Sequence, residues 1–200
     1  MAYSAFIQAG GLSSRMRTDK AWLPFGLYYS IELVIRALEP VADEIAIVAN
    51  NPEYQRLGLP VYPDVVKSYG PLGGIHSALL NARNDSVFIV ACDLPFVSAD
   101  LFRQLITFRQ GYQIIVPTGE DGQTQQLCAI YTRNCLQQMV PLINEDVRTP
   151  RALFDRCSTR YVSWSDLSYL PNAQHFFDNL NTPEDYHRAL MVYQSNPGAQ

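Results

Sequence analysis

Residues 3–20 read YSAFIQAGGLSSRMRTDK, and this stretch decides the architecture. Tyr3–Gln8 is a short, largely apolar run that stops at Ala9-Gly10-Gly11, the pattern of a buried strand feeding a flexible loop. Just downstream, Ile31, Val34, Ile35 and Leu38 recur at helical spacing until Pro40, which predicts a helix over Ser30–Leu38. Glu44–Ala49, Leu59–Tyr62 and Val87–Ala91 read as further strands, apolar as buried parallel strands are. Gly74–Ala82 and Asp100–Phe108 carry helical patterns. Strands alternating with helices predict an α/β fold, a mostly parallel, doubly wound (Rossmann-like) sheet flanked by helices. Ligands then belong at the carboxyl ends of the strands.

Beyond Val116 the alternation weakens. Gln126–Thr132 reads as a strand, Asn134–Leu142 and Thr149–Phe154 as helical, and Thr182–Val192 as a closing helix. Its start has a capping hydroxyl on Thr182, a proline in the first turn at Pro183, and Glu184 and Asp185 facing the positive end of the dipole. One domain over residues 1–194 is expected, with 195–200 as a frayed tail.

With 48% hydrophobic and 17% charged residues the chain has the composition of a packed globular protein. A formal charge of −4 argues against a broad nucleic-acid surface, so an anionic ligand must meet a local basic cluster. Cys92, Cys128, Cys135 and Cys157 form no CxxC pair and read as buried, reduced thiols. No stretch has the ~18–20 uninterrupted apolar residues of a membrane span, and the N-terminus lacks the pattern of a secretion signal. A cytoplasmic protein without membrane or nucleic-acid partners is expected.

The chemistry concentrates in Ala9–Lys20. Adjacent glycines, Gly10 and Gly11, let backbone N–H groups approach polyphosphate oxygens, and Arg15 and Lys20 add positive charge in the same loop. The motif is neither a P-loop nor a dinucleotide fingerprint, and the glycines alone would equally suit a solvated turn. GG-x-x-x-R-M-x-x-D-K is far more specific. Asp93, just past the run VFIVA, sits where a carboxylate could hold a Mg²⁺-phosphate ligand or simply cap a turn. Asp64 and the glycine-rich Gly70-Pro71-Leu72-Gly73-Gly74 form a second loop able to receive a base or ribose, or an ordinary turn opening a helix. Asn179 and Asn181 could complete a hydrogen-bond set around metal or phosphate, or could be turn formers.

These motifs together, IQAGGLSSRMRTDKAWLPFG, GPLGGI, ACDLPFV, RTPRALF and NLNTPEDY, closely resemble the molybdenum cofactor guanylyltransferases, MobA-like nucleotidyltransferases within the group that also makes nucleotide sugars. The resemblance runs over nearly the whole chain. It implies a fold of the nucleotide-diphospho-sugar transferase type and transfer of GMP from Mg-GTP to the terminal phosphate of molybdopterin, with release of pyrophosphate. It implies nucleotide contacts at Gln8, Ala9, Gly10, Lys20, Asp64 and Asp93, with Asp93 also binding magnesium, and it matches the family's paired asparagines to Asn179 and Asn181. Contacts with molybdenum cofactor insertion proteins or molybdoenzymes would follow from that role. Cytidylyl relatives usually read LAAG where this chain has QAGG and lack the PLGG-like loop, so Gly11 and Gly73-Gly74 favour guanine. Arg17 stands where glycine is usual, Leu27 in a loop commonly GG, and Gln126 where proline is common. The alternatives are a cytidylyl- or sugar-1-phosphate transferase using the same cradle, or a nucleotide-binding module without catalysis.

Overall fold

The chain is described here by a computed structural model covering residues 2–10 and 18–195. The first strand, β1, is Tyr3–Gln8, buried until its last residue. A hairpin of β2 (Pro24–Phe25) and β3 (Tyr28–Tyr29) leads into α1 (Ser30–Leu38). The Glu32 carboxylate accepts the Tyr29 N–H at 2.7 Å, closing the first turn of α1 where four backbone donors would otherwise be unpaired. Then come β4 (Glu44–Val48), β5 (Val61–Tyr62), α2 (Gly70–Asn81), β6 (Ser86–Ala91) and α3 (Ala99–Thr107). The remainder adds β7 (Ile114–Pro117), β8 (Cys128–Thr132), α4 (Leu136–Asn144), α5 (Arg151–Phe154), β9 (Thr159–Val162) and α6 (Pro183–Ser195).

One seven-stranded sheet has the order β5-β4-β1-β6-β8-β7-β9. All neighbours pair in parallel except β8, which runs antiparallel to both β6 and β7. The expected mostly parallel, doubly wound sheet is therefore present. Because β1 is central, its alternating side chains serve two cores: Ala5 and Ile7 pack with α1 and α3, and Phe6 packs with α2 and α4. From β1 the chain moves outward to β4 and β5, then crosses back to β6 on the other side of β1. That reversal between β1 and β6 opens a crevice at the carboxyl ends of the strands. A third cluster, Leu23, Phe25, Leu33, Leu180 and Ala189, binds the hairpin, α1 and α6 into one corner.

Two differences from the sequence reading matter. The glycine-rich segment expected as a loop before a helix at Gly74 is itself the start of α2, which begins at Gly70 with Pro71 in its first turn. Proline there needs no partner for its missing N–H, so the segment that reads as loop folds as helix. Strands β7 and β9, four residues each, lacked a pattern long enough to mark them. All four cysteines are buried and free. Among the described residues no helix is long and apolar enough to cross a membrane.

Candidate functional site

The crevice is built from strand ends. At the end of β1 the parallel ladder runs one residue further, with Ala9 N–H donating to the Val48 carbonyl at 3.0 Å. Gly10 then turns the chain away with φ +87°, a conformation that side chains with a Cβ rarely adopt. Gly11 and Arg15, expected in the cradle, and Arg17, the departure from the family's usual glycine, lie outside the described residues. The chain is again defined at Thr18-Asp19, where Asp19 caps a short 3₁₀ turn over Lys20–Trp22 by accepting the Ala21 N–H at 3.1 Å. The other Asp19 oxygen accepts the Tyr54 hydroxyl at 2.6 Å. Tyr54 stacks on Trp22 with ring centroids 5.2 Å apart, and the Arg56 guanidinium lies 3.7 Å from the Trp22 centroid. This scaffold holds the turn that carries Lys20.

Lys20 Nζ donates to Asp93 Oδ2 at 2.9 Å and to Asn181 Oδ1 at 2.6 Å. Three segments remote in sequence thus meet at one ammonium group. Asp93 arrives from the end of β6, and the Leu180 N–H, donating to the Asp93 carbonyl at 3.2 Å, brings the 179–181 segment beside it. The Lys20 and Asp93 side chains are 18% and 14% exposed, so their attraction is screened less than that of a surface pair. Asn179 does not join them: its Nδ2 donates to the Phe177 carbonyl at 3.1 Å. Leu180 between the two asparagines is buried in the corner cluster.

Across the crevice, Asp64 follows β5 and is held by Asn50, which follows β4. Asn50 Nδ2 donates to Asp64 Oδ2 at 2.8 Å, and the Asp64 N–H donates to Asn50 Oδ1 at 3.0 Å. The other Asp64 oxygen, Oδ1, is buried with no hydrogen-bond partner among the described residues. The sequence reading missed Asn50, although a polar residue directly after a parallel strand is the same signal that singled out Asp93. Gln8 closes the floor: its Nε2 donates to the Pro71 carbonyl at 3.4 Å, and its Oε1 is buried without a partner. Gly74 lies directly beneath that amide; a Cβ added there would be 1.8 Å from Gln8 Nε2. Gly73, one residue earlier in α2, is buried, its N–H bonded to the Tyr69 carbonyl at 3.4 Å.

Protonation states limit the chemistry. Burial, then the negative charges of Asp93 and Asp19, pushes the Cys92 thiol well above its usual range, so it is a protonated thiol and not a nucleophile. Burial and the bond to Asp19 likewise push the Tyr54 phenol up and keep it a neutral donor. The described residues contain no group of three or more His, Cys, Asp or Glu able to hold a metal. Beside Lys20, the described residues offer a cation the Asp93 carboxylate and the Asn181 amide oxygen. Mg²⁺ is commonly held by one or two carboxylates plus substrate phosphates and water, so this sparse set of oxygens suits a metal that arrives with a polyphosphate.

A family model described as the MobA-like NTP transferase domain matches residues 5–160, well over half of the 200-residue chain. The chain belongs to this family. The MobA-like chain is 39% identical over 189 residues to a protein of Clostridium perfringens named probable molybdenum cofactor guanylyltransferase, covering 92% of this chain and 93% of that one. It is 35% identical over 185 residues to the molybdenum cofactor guanylyltransferase of Vibrio parahaemolyticus, covering 90% of each. The crystal structure of molybdopterin-guanine dinucleotide biosynthesis protein A from Archaeoglobus fulgidus superposes with a TM-score of 0.82 at 22% identity, over 96% of this chain and 99% of that one. The 2-C-methyl-D-erythritol 4-phosphate cytidylyltransferase of Thermus thermophilus does so with a TM-score of 0.72 at 17% identity, over 97% and 100%. These two share the fold. As a MobA-like NTP transferase the chain is a nucleotidyltransferase, of the nucleotide-diphospho-sugar transferase fold type.

Proposed function

We propose that this nucleotidyltransferase is a molybdenum cofactor guanylyltransferase, which transfers GMP from Mg-GTP to the phosphate of a molybdopterin-type acceptor and releases pyrophosphate. The observation that carries the reading is the ammonium of Lys20 bridging Asp93 and Asn181 at the carboxyl end of the sheet. The names of relatives at 35–39% identity supply the base and the acceptor. An acceptor phosphate oxygen attacks the α-phosphorus of GTP in line, and the bond to the bridging oxygen breaks as pyrophosphate departs. A phosphate monoester is already largely dianionic near neutral pH, so no protein base is needed to create the nucleophile. The protein contributes position and field. Lys20 braces the phosphate oxygens, together with Arg15 from the glycine loop, while Asp64, held by Asn50, supplies its unpartnered oxygen to a hydroxyl of the nucleotide. Asp93 and Asn181 would hold Mg²⁺, which supplies neutralisation of the phosphate charge. Asn179, as the neighbour of that pair, supports the acceptor side.

We further place the reaction in the cytoplasm, consistent with four unpaired thiols, and treat residues 1–194 as one catalytic domain. The deciding experiment incubates the protein with Mg²⁺, each of GTP, CTP and ATP, and molybdopterin, and measures pyrophosphate. Release with GTP and acceptor together is expected. Equal or better release with CTP would reassign the enzyme to the cytidylyl branch, and no release with any nucleotide would make it a binding module.

A further inference from the structure

A second recess lies at the amino end of the sheet, at the opposite end of β1 from the crevice. Its volume is about 470 Å³, and it opens where α1 and α3 end, walled by Tyr3, Pro40, Val41 and Ile106 and flanked by Arg103 and Arg109. Tyr3 and Gln8 are the two ends of β1, about 16 Å apart at the rise of a strand, so a molecule lodged here cannot touch the crevice. Tyr3 is 4% exposed. Its N–H donates to Asp43 Oδ2 at 2.8 Å and its carbonyl accepts the Asp43 N–H at 2.8 Å, so its backbone is satisfied. Its ring stacks on Phe88 with centroids 5.1 Å apart, on the face of the sheet that carries α1 and α3. The hydroxyl at the tip of that ring is buried with no partner among the described residues. A phenylalanine would stack in the same way without an orphaned polar atom, so packing does not account for the hydroxyl.

The two arginines are the second, independent sign. Arg109 is fixed in place: Nε donates to Ser86 Oγ at 3.0 Å, Nη1 to the Tyr112 carbonyl, and Nη2 to Asp85 Oδ2 at 3.3 Å. Arg103 donates to Asp100 Oδ1 at 2.8 Å through Nη1 alone. A guanidinium has five N–H groups, so each retains donors beyond these bonds. Asp85 and Asp100 are not part of the wall. Burial pushes the Tyr3 phenol above its usual range, against an opposing pull from the Arg109 charge, so a neutral donor stands near a fixed cation.

We propose that this recess binds a small organic anion, whose carboxylate or phosphate head takes the Tyr3 hydroxyl and the remaining N–H groups of Arg103 and Arg109. Its apolar body lies on Pro40, Val41 and Ile106. A wholly apolar ligand would leave the hydroxyl unpaired, and a cation would meet two guanidinium groups, so the donor set selects against both. The site is separate from nucleotidyl transfer and does not depend on which nucleotide the crevice takes.

The test is a titration of the intact protein with phenylacetate, phenyl phosphate and neutral benzyl alcohol, followed by amide NMR shifts. It is repeated on Tyr3→Phe and Arg103→Gln, with melting temperature measured on each. At least one anion should give saturable shifts centred on Val41, Ile106 and Arg109, with benzyl alcohol binding about tenfold more weakly or worse. The two anions separate a preference for carboxylate from one for phosphate. Tyr3→Phe should melt no lower than wild type, because the orphaned hydroxyl is gone, and should bind the anion about tenfold more weakly. Arg103→Gln should weaken it by about tenfold or more. Shifts confined to the surroundings of Lys20 and Asp93, benzyl alcohol binding as well as the anions, or undiminished binding by folded Tyr3→Phe would each overturn the proposal.

Discussion

At Asp93 one carboxylate oxygen is engaged by Lys20, and the same ammonium draws in Asn181. Asp93→Asn keeps the shape and the hydrogen bonds of the side chain but removes its charge. Turnover should fall by roughly 10²-fold or more with the fold intact, as expected for loss of an electrostatic anchor in the transition state. A folded Asp93→Asn protein with near wild-type pyrophosphate release would remove Asp93 from the chemistry. Lys20→Ala acts twice, deleting a cation from the crevice and leaving Asp93 to repel the triphosphate. A charge-assisted contact is worth ~1.5–3 kcal/mol, so GTP affinity should drop by about tenfold to a hundredfold, with turnover falling alongside. Unchanged calorimetric affinity would mean that Lys20 serves only to tie the three segments together. Both residues were legible in the sequence because each stands directly after a recognisable element, in the glycine loop or at a strand end. The difference between Asn181 and Asn179 was not legible: it depends on the Asn179 side chain bonding to the Phe177 carbonyl two residues back.

The helix α2 shows where element-level reading works and where it stops. Its apolar spacing predicted a helix, as the spacing of β1 and α1 predicted those two elements to the residue. Its first turn was hidden, because Gly70-Pro71 reads as a turn unless one knows that proline is welcome at a helix start. Strands β7 and β9 were hidden for a different reason: partners distant in sequence, not local pattern, make these short segments strands. Further along α2 is His76, half-buried, with its Nδ1 buried and unpartnered among the described residues. Burial holds its pKa below the usual 6.5. The unfolded chain therefore takes up a proton that the folded one resists, and stability should fall as pH drops below about 6.5. His76→Leu should flatten the fall of melting temperature between about pH 7 and 5, and an unaltered slope would remove His76 as its source. The hairpin β2–β3 offers a packing test. Phe25, fully buried in the corner cluster that also holds Leu180, should cost ~3–5 kcal/mol when changed to alanine, read by urea denaturation. The same change should weaken nucleotide binding, since Asn181 is anchored through Leu180.

Over the whole molecule, a ligand that binds only the folded state adds stability by mass action. At a hundredfold excess over its dissociation constant GTP should add about 2.7 kcal/mol, which for a chain of this size is roughly 5–10 °C in melting temperature. CTP at the same concentration should do less, and an equal shift from both would argue against base selection. The four sealed cysteines give the molecule clocks of its own opening. Alkylation requires a thiolate that can reach solvent, so each sulfur reports the moment its surroundings part. Cys92 neighbours Asp93, and its carbonyl accepts the Ser30 hydroxyl at 2.8 Å, tying α1 to the end of β6. Cys135, just after β8, lies in the cluster on the opposite face of the sheet, packed with α2 and α4. A labelling time course followed by mass spectrometry would time the breathing of the crevice separately from that of the sheet, with nucleotide slowing the first clock more than the second.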